Sequence, residues 1–228
     1  MAKRVSAEAA LLMLHWQNSV CDPKGVWGKN LCRQIEKNNA VKNAQSVLAI
    51  ARNRGMLTIF VNIGWRPGFP ELPENQYYPL LQGAKDENKG LVGTWEVDVI
   101  DALRPASREP IVINFGSDSF EGTDLDRLLR ANNIGHVFVS GQCIEHVVAT
   151  TIKRAANMGY NAILIRDATS GFTDSNYNAM LDILPLYAKI ITAAEFTLEA
   201  PYAAGPRSEA LPDSRGSFTE RVAWLRSS

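Results

Sequence analysis

The residues best suited to chemistry in this chain are histidine, asparagine and cysteine side chains that follow short apolar runs. They are His15 after Ala10–Leu14, Asn114 after Ile111–Ile113, and Cys143 and His146 after Val137–Ser140. An imidazole accepts a proton near neutral pH, and a thiol near a helix N-terminus gains nucleophilicity from the helix dipole. These residue types indicate acid–base or nucleophilic chemistry on a small molecule.

Each of these residues also has a structural interpretation. His15 acts as a base or fills space at the end of its strand. Cys143 is a nucleophile, with His15 or His146 as its base, or a buried and inert thiol. His146 contacts a ligand or packs at the start of a helix, and Asn114 orients a polar ligand without supplying charge. The sequence leaves these alternatives open.

The elements that must position these residues alternate along the chain. Six apolar runs are separated by segments with helical periodicity: Ala10–Leu14, Leu57–Ile63, Ile111–Ile113, Val137–Ser140, Ala162–Ile165 and Ile190–Ala193. Strands that read as continuous apolar runs are typical of parallel sheets covered on both faces. We therefore predict an α/β fold, a three-layer sandwich around a mostly parallel six-stranded sheet of Rossmann-like topology, whose ligands bind at the carboxyl ends of the strands.

The segments between the strands predict helices and one long excursion. Apolar spacing predicts a single crossover helix from Ile35 to Arg54, a second helix that begins at Leu125, and a third that ends before Gly159. Residues 64–97 are rich in proline and aromatic residues. An excursion of this length is typical of a lid or an oligomer contact.

Composition restricts the partners. The 228 residues carry 24 Lys and Arg against 24 Asp and Glu. Zero net charge removes the electrostatic attraction to nucleic acid or to a membrane surface, so we predict neither partner and expect a small-molecule ligand. No export segment is present, and three cysteines leave an odd thiol, which predicts a cytoplasmic protein. We expect one domain over residues 1–200 and an arm or tail over 201–228.

Motifs for common cofactors are absent. The sequence contains neither a glycine-rich dinucleotide loop nor a P-loop, and it lacks the Gly-x-Ser-x-Gly elbow of serine hydrolases. Its three histidines form no metal-spaced pair. We therefore predict no cofactor and no metal.

Three ordered blocks resemble the isochorismatase-like superfamily, which includes cysteine hydrolases such as nicotinamidases and N-carbamoylsarcosine amidases. Leu11–Asn18 is similar to an apolar strand followed by Asp-x-Gln-Asn. Ile111–Leu125 is similar to an apolar strand, a lysine and Ser-Ala-Phe-x-x-Thr-x-Leu. The third block runs from Val137 through Gly141, Thr151 and Gly159-Tyr160 to Asp167-Ala168. The resemblance covers roughly residues 8–195 and implies both the fold and a homo-oligomer.

The resemblance also implies that the usual catalytic groups are replaced. His15 occupies the family's aspartate position, Asn114 its lysine position, and Val147 the position of its nucleophilic cysteine. A valine has no nucleophilic atom, so the thioester mechanism is not carried over. The loop after the second strand, residues 64–67, lacks the family's histidine and aspartate metal ligands.

The predicted site has two groups of residues. His15, Asn114 and Cys143 are the candidate catalytic residues. The residues expected to contact substrate are Gln17, Trp65, Phe120, Gln142, His146 and Val147. For Trp65 a subunit interface, and for Phe120 plain core packing, stay open as alternatives. The resemblance further implies a cis peptide between Gln142 and Cys143, with the amide of Cys143 in an oxyanion hole.

Three functions follow from these residues. The first is a hydrolase of a small amide, ester or vinyl-ether-type substrate, in which His15 activates water and the turn amides of Cys143 and Val147 polarise a carbonyl. The second is an inactive, ligand-binding pseudoenzyme. The third is a cofactor-free isomerase or lyase that uses a histidine base.

Overall fold

A single sheet of six strands is the centre of the computed structural model, which describes residues 9–75 and 77–198. The strands are β1 (Ala9–Leu14), β2 (Leu57–Ile63), β3 (Ile111–Asn114), β4 (His136–Gln142), β5 (Asn161–Ser170) and β6 (Ala188–Ile191). Their order is β3-β2-β1-β4-β5-β6, and every pairing is parallel. The predicted α/β fold with a parallel six-stranded sheet is confirmed.

Both faces of the sheet are covered, which explains why the strands are apolar without interruption. In β1, Ala9, Leu11 and Met13 belong to one core cluster, whereas Ala10, Leu12 and Leu14 belong to the other. Alternate residues of a strand point to opposite faces. An uninterrupted apolar strand therefore supplies two cores at once.

Eight helices in the described ranges cover the sheet. They are α1 (Asn18–Cys21), α2 (Gly28–Lys37), α3 (Ala40–Asn53), α4 (Pro79–Asp86), α5 (Leu125–Ala131), α6 (Ala149–Asn157), α7 (Asp174–Ile183) and α8 (Ala193–Leu198). Residues of α2, α3, α4 and α8 bury their apolar side chains in the first cluster, and residues of α5 and α6 bury theirs in the second. The predicted three layers are present.

The sequence-based helix from Ile35 to Arg54 is wrong as a single element. The chain ends α2 at Lys37 and begins α3 at Ala40, with Asn39 in the left-handed region at φ 50°. Asparagine tolerates this conformation better than most residues, because its short polar side chain can bond locally. The change of direction separates α2, which reaches the carboxyl edge of the sheet, from the crossover helix α3.

Other boundaries differ less. The last strand was predicted over Ile190–Ala193 but ends at Ile191, and Ala193 begins α8. The excursion over residues 64–97 contains α4. The predicted arm or tail, 201–228, lies outside the described residues. None of the described helices has the length and apolar character needed to span a membrane.

The order of the strands places a topological switch point between β1 and β4, because the chain runs outward from β1 in one direction and then in the other. At the end of this pair Gly141 lies opposite Leu14. A Cβ at Gly141 would be 2.5 Å from the backbone oxygen of Leu14, so only glycine fits. The strands therefore approach closely where open α/β sheets bind ligands.

Candidate active site

A cleft opens at the carboxyl ends of β1 to β4, between the sheet, α2 and α4. Its cavity volume is about 50 Å³, within a wider space of about 410 Å³ that includes the solvent at the mouth. The residues that line it are His15, Val20, Trp27, Leu31, Ile63, Tyr78, Leu80, Leu81, Gly116, Ser117, Gln142, Cys143, His146, Val147 and Phe172. No charged side chain of the described chain lines this cleft when its histidines are neutral, which favours an uncharged ligand.

His15 and Asn114 form a hydrogen-bonded pair beside the cleft, although they are 99 residues apart. His15 Nε2 lies 3.0 Å from Asn114 Oδ1. Asn114 Nδ2 donates to the carbonyl oxygens of Gly116, at 2.8 Å, and Asp118, at 3.4 Å. Because carbonyl oxygens only accept, these two bonds fix the orientation of the amide. Asn114 Oδ1 must therefore accept a hydrogen bond from the N–H of His15 Nε2.

This arrangement determines which nitrogen of His15 is available. With its proton on Nε2, the neutral imidazole has its lone pair on Nδ1. Nδ1 makes no hydrogen bond to the described residues, and the ring lines the cleft. The backbone of His15 has φ 51°, which is uncommon for a residue other than glycine. The site thus presents an unprotonated imidazole nitrogen as a hydrogen-bond acceptor.

The environment keeps His15 neutral. Burial lowers its pKa from 6.5 to about 4, the bond to Asn114 opposes the shift, and the nearby His146 adds to it. Burial also lowers the pKa of His146. Both imidazoles are therefore neutral at physiological pH. A neutral histidine of low pKa accepts a proton at any pH above its pKa, but it is a weak base.

Cys143 faces the same cleft in an environment that disfavours thiolate. Burial raises its pKa well above the ordinary value, and the adjacent Glu145 carboxylate raises it further. The described residues around the thiol include no cation to offset these effects. This environment favours the thiol over the thiolate, which supports the inert alternative considered from the sequence.

The peptide bond between Gln142 and Cys143 is cis, as the resemblance implied. It is followed by a single π-helical turn, Ile144–Val148, that leads into α6. Val147 lies on this turn, is fully buried and lines the cleft. An aliphatic group is therefore part of the cleft surface close to His15.

Glu145 holds the loop that closes one side of the cleft. Its Oε1 accepts hydrogen bonds from the backbone N–H of Phe172, at 2.9 Å, and from Asn176 Nδ2, at 3.0 Å. A Cβ at Gly171 would lie 2.7 Å from Glu145 Oε2, so a side chain there would displace the carboxylate. Phe172 in turn packs edge-on against His146, with ring centroids 5.7 Å apart.

Three residues predicted to contact substrate do not line the cleft. Gln17 is fully buried, and its amide is used by the protein itself: Nε2 donates to Ser19 Oγ and to the Ile63 carbonyl, both at 2.8 Å, and Oε1 accepts from the Ile63 N–H at 2.7 Å. These bonds join the end of β1 to the end of β2. Gln17 therefore maintains the backbone of the site, and both ends of its amide are engaged within the protein.

Trp65 and Phe120 are core residues. Trp65 is fully buried, donates to the Phe115 carbonyl and packs edge-on against Trp27, with centroids 6.1 Å apart. It supports the cleft wall from behind. Phe120 stacks on Tyr160 in the second core cluster, which is the packing alternative left open above. Position next to a strand end did not reveal on which face of the sheet each ring would lie.

Most of the apolar wall was not predicted from the sequence. Trp27, at the start of α2, donates from Nε1 to the Leu80 carbonyl at 3.2 Å and so connects α2 to the excursion. Tyr78 and Leu81 of the excursion line the cleft beside it. Proline and aromatic enrichment in residues 64–97 was the available signal, and it pointed to this segment without selecting the residues.

No group of three or more potential metal ligands occurs among the described residues. The metal-binding loop expected from the family is Gly64–Pro67 here, and Arg66 in this loop pairs with Glu71 at 2.9 Å. These residues offer no set of ligands for a resident metal ion.

The model of the isochorismatase domain matches residues 9–195 of this chain. The chain belongs to the isochorismatase family. Among curated members of the family, the uncharacterized protein YrdC of Bacillus subtilis (strain 168) is 27% identical over 177 residues, covering 75% of this chain and 80% of that protein. The ureidoacrylate amidohydrolase RutB of Variovorax paradoxus (strain S110) is 25% identical over 175 residues, covering 72% of this chain and 69% of that enzyme.

Solved structures of isochorismatase-like proteins have the same fold. A cysteine hydrolase from Pseudomonas syringae pv. phaseolicola 1448A aligns with a TM-score of 0.75 at 21% identity, covering 87% of this chain and 97% of that one. At this identity the match establishes the fold alone. Within the family fold, the cleft of this chain lies at the carboxyl ends of β1 and β4, at the switch point of the sheet.

Proposed function

We propose that this family member hydrolyses a small uncharged amide or ester with a water molecule activated by His15. The observation that carries the proposal is the His15–Asn114 pair, which directs a proton to Nε2 and leaves Nδ1 as an acceptor on the cleft. One relative is named a ureidoacrylate amidohydrolase. Its name supports an amide as the substrate class.

The reaction follows from these groups. Water donates a proton to His15 Nδ1 while its oxygen attacks the carbonyl carbon. We expect the backbone N–H of Cys143, for which no bond to a backbone carbonyl is found among the described residues, to stabilise the developing oxyanion. The C–N or C–O bond then breaks, and the proton passes from Nδ1 to the leaving nitrogen or oxygen. The products are a carboxylic acid and an amine or alcohol.

This mechanism uses no thiolate and no charged side chain, in agreement with the replacements implied by the family resemblance. Val147 stands where family members place the nucleophilic cysteine, and Asn114 where they place a lysine. The low pKa of His15 makes it a weak base, so we expect slow turnover that persists to mildly acidic pH.

The test is a comparison of histidine variants. Purified wild type, His15→Ala and His136→Ala are assayed on p-nitrophenyl esters and on primary amides, the latter by ammonia release. Loss of a general base lowers the rate by about 100-fold or more, so we expect this loss in His15→Ala only. His136 begins β4 at the opposite edge of the sheet and is the matched control. Equal rates in wild type and His15→Ala would remove His15 from the reaction.

A second candidate is a ligand-binding protein without turnover. It is favoured by the protonated state of the Cys143 thiol and by the uncharged cleft. Ligand-induced increases in melting temperature without product formation would support it. Turnover that co-purifies with the wild type and disappears in His15→Ala would exclude it. The isomerase or lyase, the cytoplasmic location and the homo-oligomer stay predictions.

A further inference from the structure

A second cavity lies at the β3 edge of the sheet and shares no lining residue with the cleft. Its volume is about 560 Å³, against about 50 Å³ for the cleft. Most of its lining comes from residues 92–99, residues 101–105 and the strand β3. We call this cavity the edge groove.

The edge groove leaves apolar surface exposed to solvent. Val92 and Trp95 are each 46% exposed, and Ile111 is 50% exposed. In the register of the sheet Ile111 lies beside Phe60, which is fully buried in the first core cluster. The same face of the sheet is therefore covered at β2 and open at β3. Exposed apolar surface of this kind on an edge strand is typical of a docking site.

The rim of the edge groove is acidic. Asp98 and Asp101 line the groove and are exposed. Arg104, the one basic residue in the described lining, pairs with Asp101. No ion pair to Asp98 occurs within the part of the chain that the structure describes. An occupant with an apolar face and positive charge beside it would match this groove.

The described part of the chain ends close to the edge groove, on the other side of α3. Arg52 Nη2 donates to the Arg104 carbonyl at 2.8 Å, and Arg54 Nη1 donates to the Phe196 carbonyl at 3.2 Å. Residues two apart on a helix point to opposite sides, and a helix with its side chains is about 10–12 Å across. The 19 residues 199–217 extend to roughly 60 Å. The residues that follow them can therefore reach the groove of the same molecule.

The sequence of residues 215–226 has the character of such an occupant. Phe218, Val222 and Leu225 have the i, i+4, i+7 spacing of one helical face. Apolar residues with this spacing are typical of a helix that binds in a groove. The segment carries three arginines and one glutamate, so its net charge is positive.

We propose that residues 215–226 dock as an amphipathic helix in the edge groove of the same molecule. On this helix Arg221 and Arg226 flank the apolar face, and Glu220 lies on the opposite side. The apolar face covers the open side chains at β3, and the flanking guanidinium groups meet the acidic rim at Asp98.

The experiment is trypsin digestion of the full-length protein, with cleavage after Arg221 followed by mass spectrometry. Cleavage requires the undocked segment, so its rate reports the docked fraction. We expect Phe218→Asp and Ile111→Asp each to speed cleavage by about tenfold, because either change brings a charge into the apolar contact. Asp98→Asn should speed it by about twofold to fivefold, since an exposed ion pair contributes modestly.

Two controls separate docking from other effects. Leu186→Asp changes a residue that is 80% exposed beside β6, at the opposite edge of the sheet, and should leave the rate unchanged. Synthetic peptides of residues 210–228, with and without Phe218→Asp, give the intrinsic effect of that change on trypsin. The rates in the protein are divided by the peptide rates.

Several outcomes would overturn the proposal. They are cleavage after Arg221 that is as fast in wild type as in the free peptide, or rates that Phe218→Asp and Asp98→Asn leave unchanged. An unchanged rate in a folded Ile111→Asp would remove the groove from the contact. Protection that falls on dilution, together with a dimer in light scattering, would place the segment of a second copy in the groove instead.

Discussion

The two sides of the cleft treat buried polar groups differently. Beyond β1, β2 and β3, the polar side chains are bonded to the protein: Gln17 to the backbone of β2, and His15 to Asn114. Beyond β4, the Gln142 amide has no partner, and Glu145 Oε2 has no oxygen or nitrogen donor. Unpaired buried groups are costly and concentrate where function requires them. We call the first side, at the ends of β1, β2 and β3, the bonded side, and the second side, after β4, the unpaired side.

The comparison between Gln17 and Gln142 gives the largest expected effect. Gln17→Leu leaves the N–H and carbonyl of Ile63 buried without partners, and we expect it to lower the free energy of unfolding by about 3–5 kcal/mol. Gln142→Leu removes no bond within the described chain and should change that free energy by at most about 1 kcal/mol. Urea unfolding of both variants measures the difference. Equal losses would show that the two amides are alike.

The second prediction concerns the pH dependence of stability and tests His15 on the bonded side of the cleft. The pKa of His15 is about 4 in the folded protein, and its ordinary value, expected in the unfolded chain, is 6.5. The unfolded chain therefore binds the proton more tightly. Stability from this residue is present above pH 6.5 and is lost as the pH falls toward 4, by about 3 kcal/mol. His146, whose pKa is also lowered, adds in the same direction.

The measurement is urea unfolding between pH 4 and pH 7 for wild type, His15→Leu and His136→Leu. Carboxylates contribute equally to all three proteins, so the difference between the curves isolates the histidine. We expect a flatter curve for His15→Leu than for wild type. A curve for His15→Leu parallel to that of wild type would mean that His15 is protonated as readily in the folded protein as in the unfolded chain.

The third prediction changes the partner of His15. In Asn114→Asp a carboxylate accepts the hydrogen bond from Nε2–H and stabilises the imidazolium, so the pKa of His15 should rise by at least about one unit. NMR titration of the imidazole signals measures the shift without relying on activity. Asn114→Leu is the control, because it removes the hydrogen bond that raises the pKa and should leave the value at about 4 or below. An unchanged pKa in Asn114→Asp would place the imidazole out of reach of residue 114.

The sequence predicted the bonded side of the cleft better than the unpaired side. Strands such as β1 were evident because a parallel strand buried on both faces is an apolar run, and the polar residue after it lies at the carboxyl edge. The break at Asn38 and Asn39 was missed, because two asparagines between helical segments do not by themselves distinguish a bend from a polar helix face. The left-handed backbone of Asn39 is the feature that ends the pattern.

The cleft wall depended on information that a linear pattern does not contain. Gln17 and Phe120 were assigned to the site from their nearness to strand ends. In the structure Gln17 bonds to the backbone of β2, and Phe120 packs in the core on the opposite face of the sheet. Trp27 and Phe172 were missed because an apolar residue in a connecting segment gives no signal of what it faces. Long-range packing, here of α2 against the excursion, decides these positions.

The smallest expected effect concerns Cys143, on the unpaired side of the cleft. Burial and the Glu145 carboxylate both raise the pKa of its thiol. Glu145→Gln should therefore lower the pKa of Cys143 and speed its labelling by iodoacetamide about severalfold. Because burial remains, labelling should still be slower than that of a free cysteine. Labelling at each cysteine is followed by mass spectrometry. Glu36→Gln is the control: Glu36 raises the pKa of Cys32, so that variant should speed labelling of Cys32 and leave Cys143 unchanged. The contrary result is fast labelling of Cys143 in wild type that does not change in Glu145→Gln. That result would mean that Cys143 is already a thiolate, and Cys143 would then replace water as the proposed nucleophile.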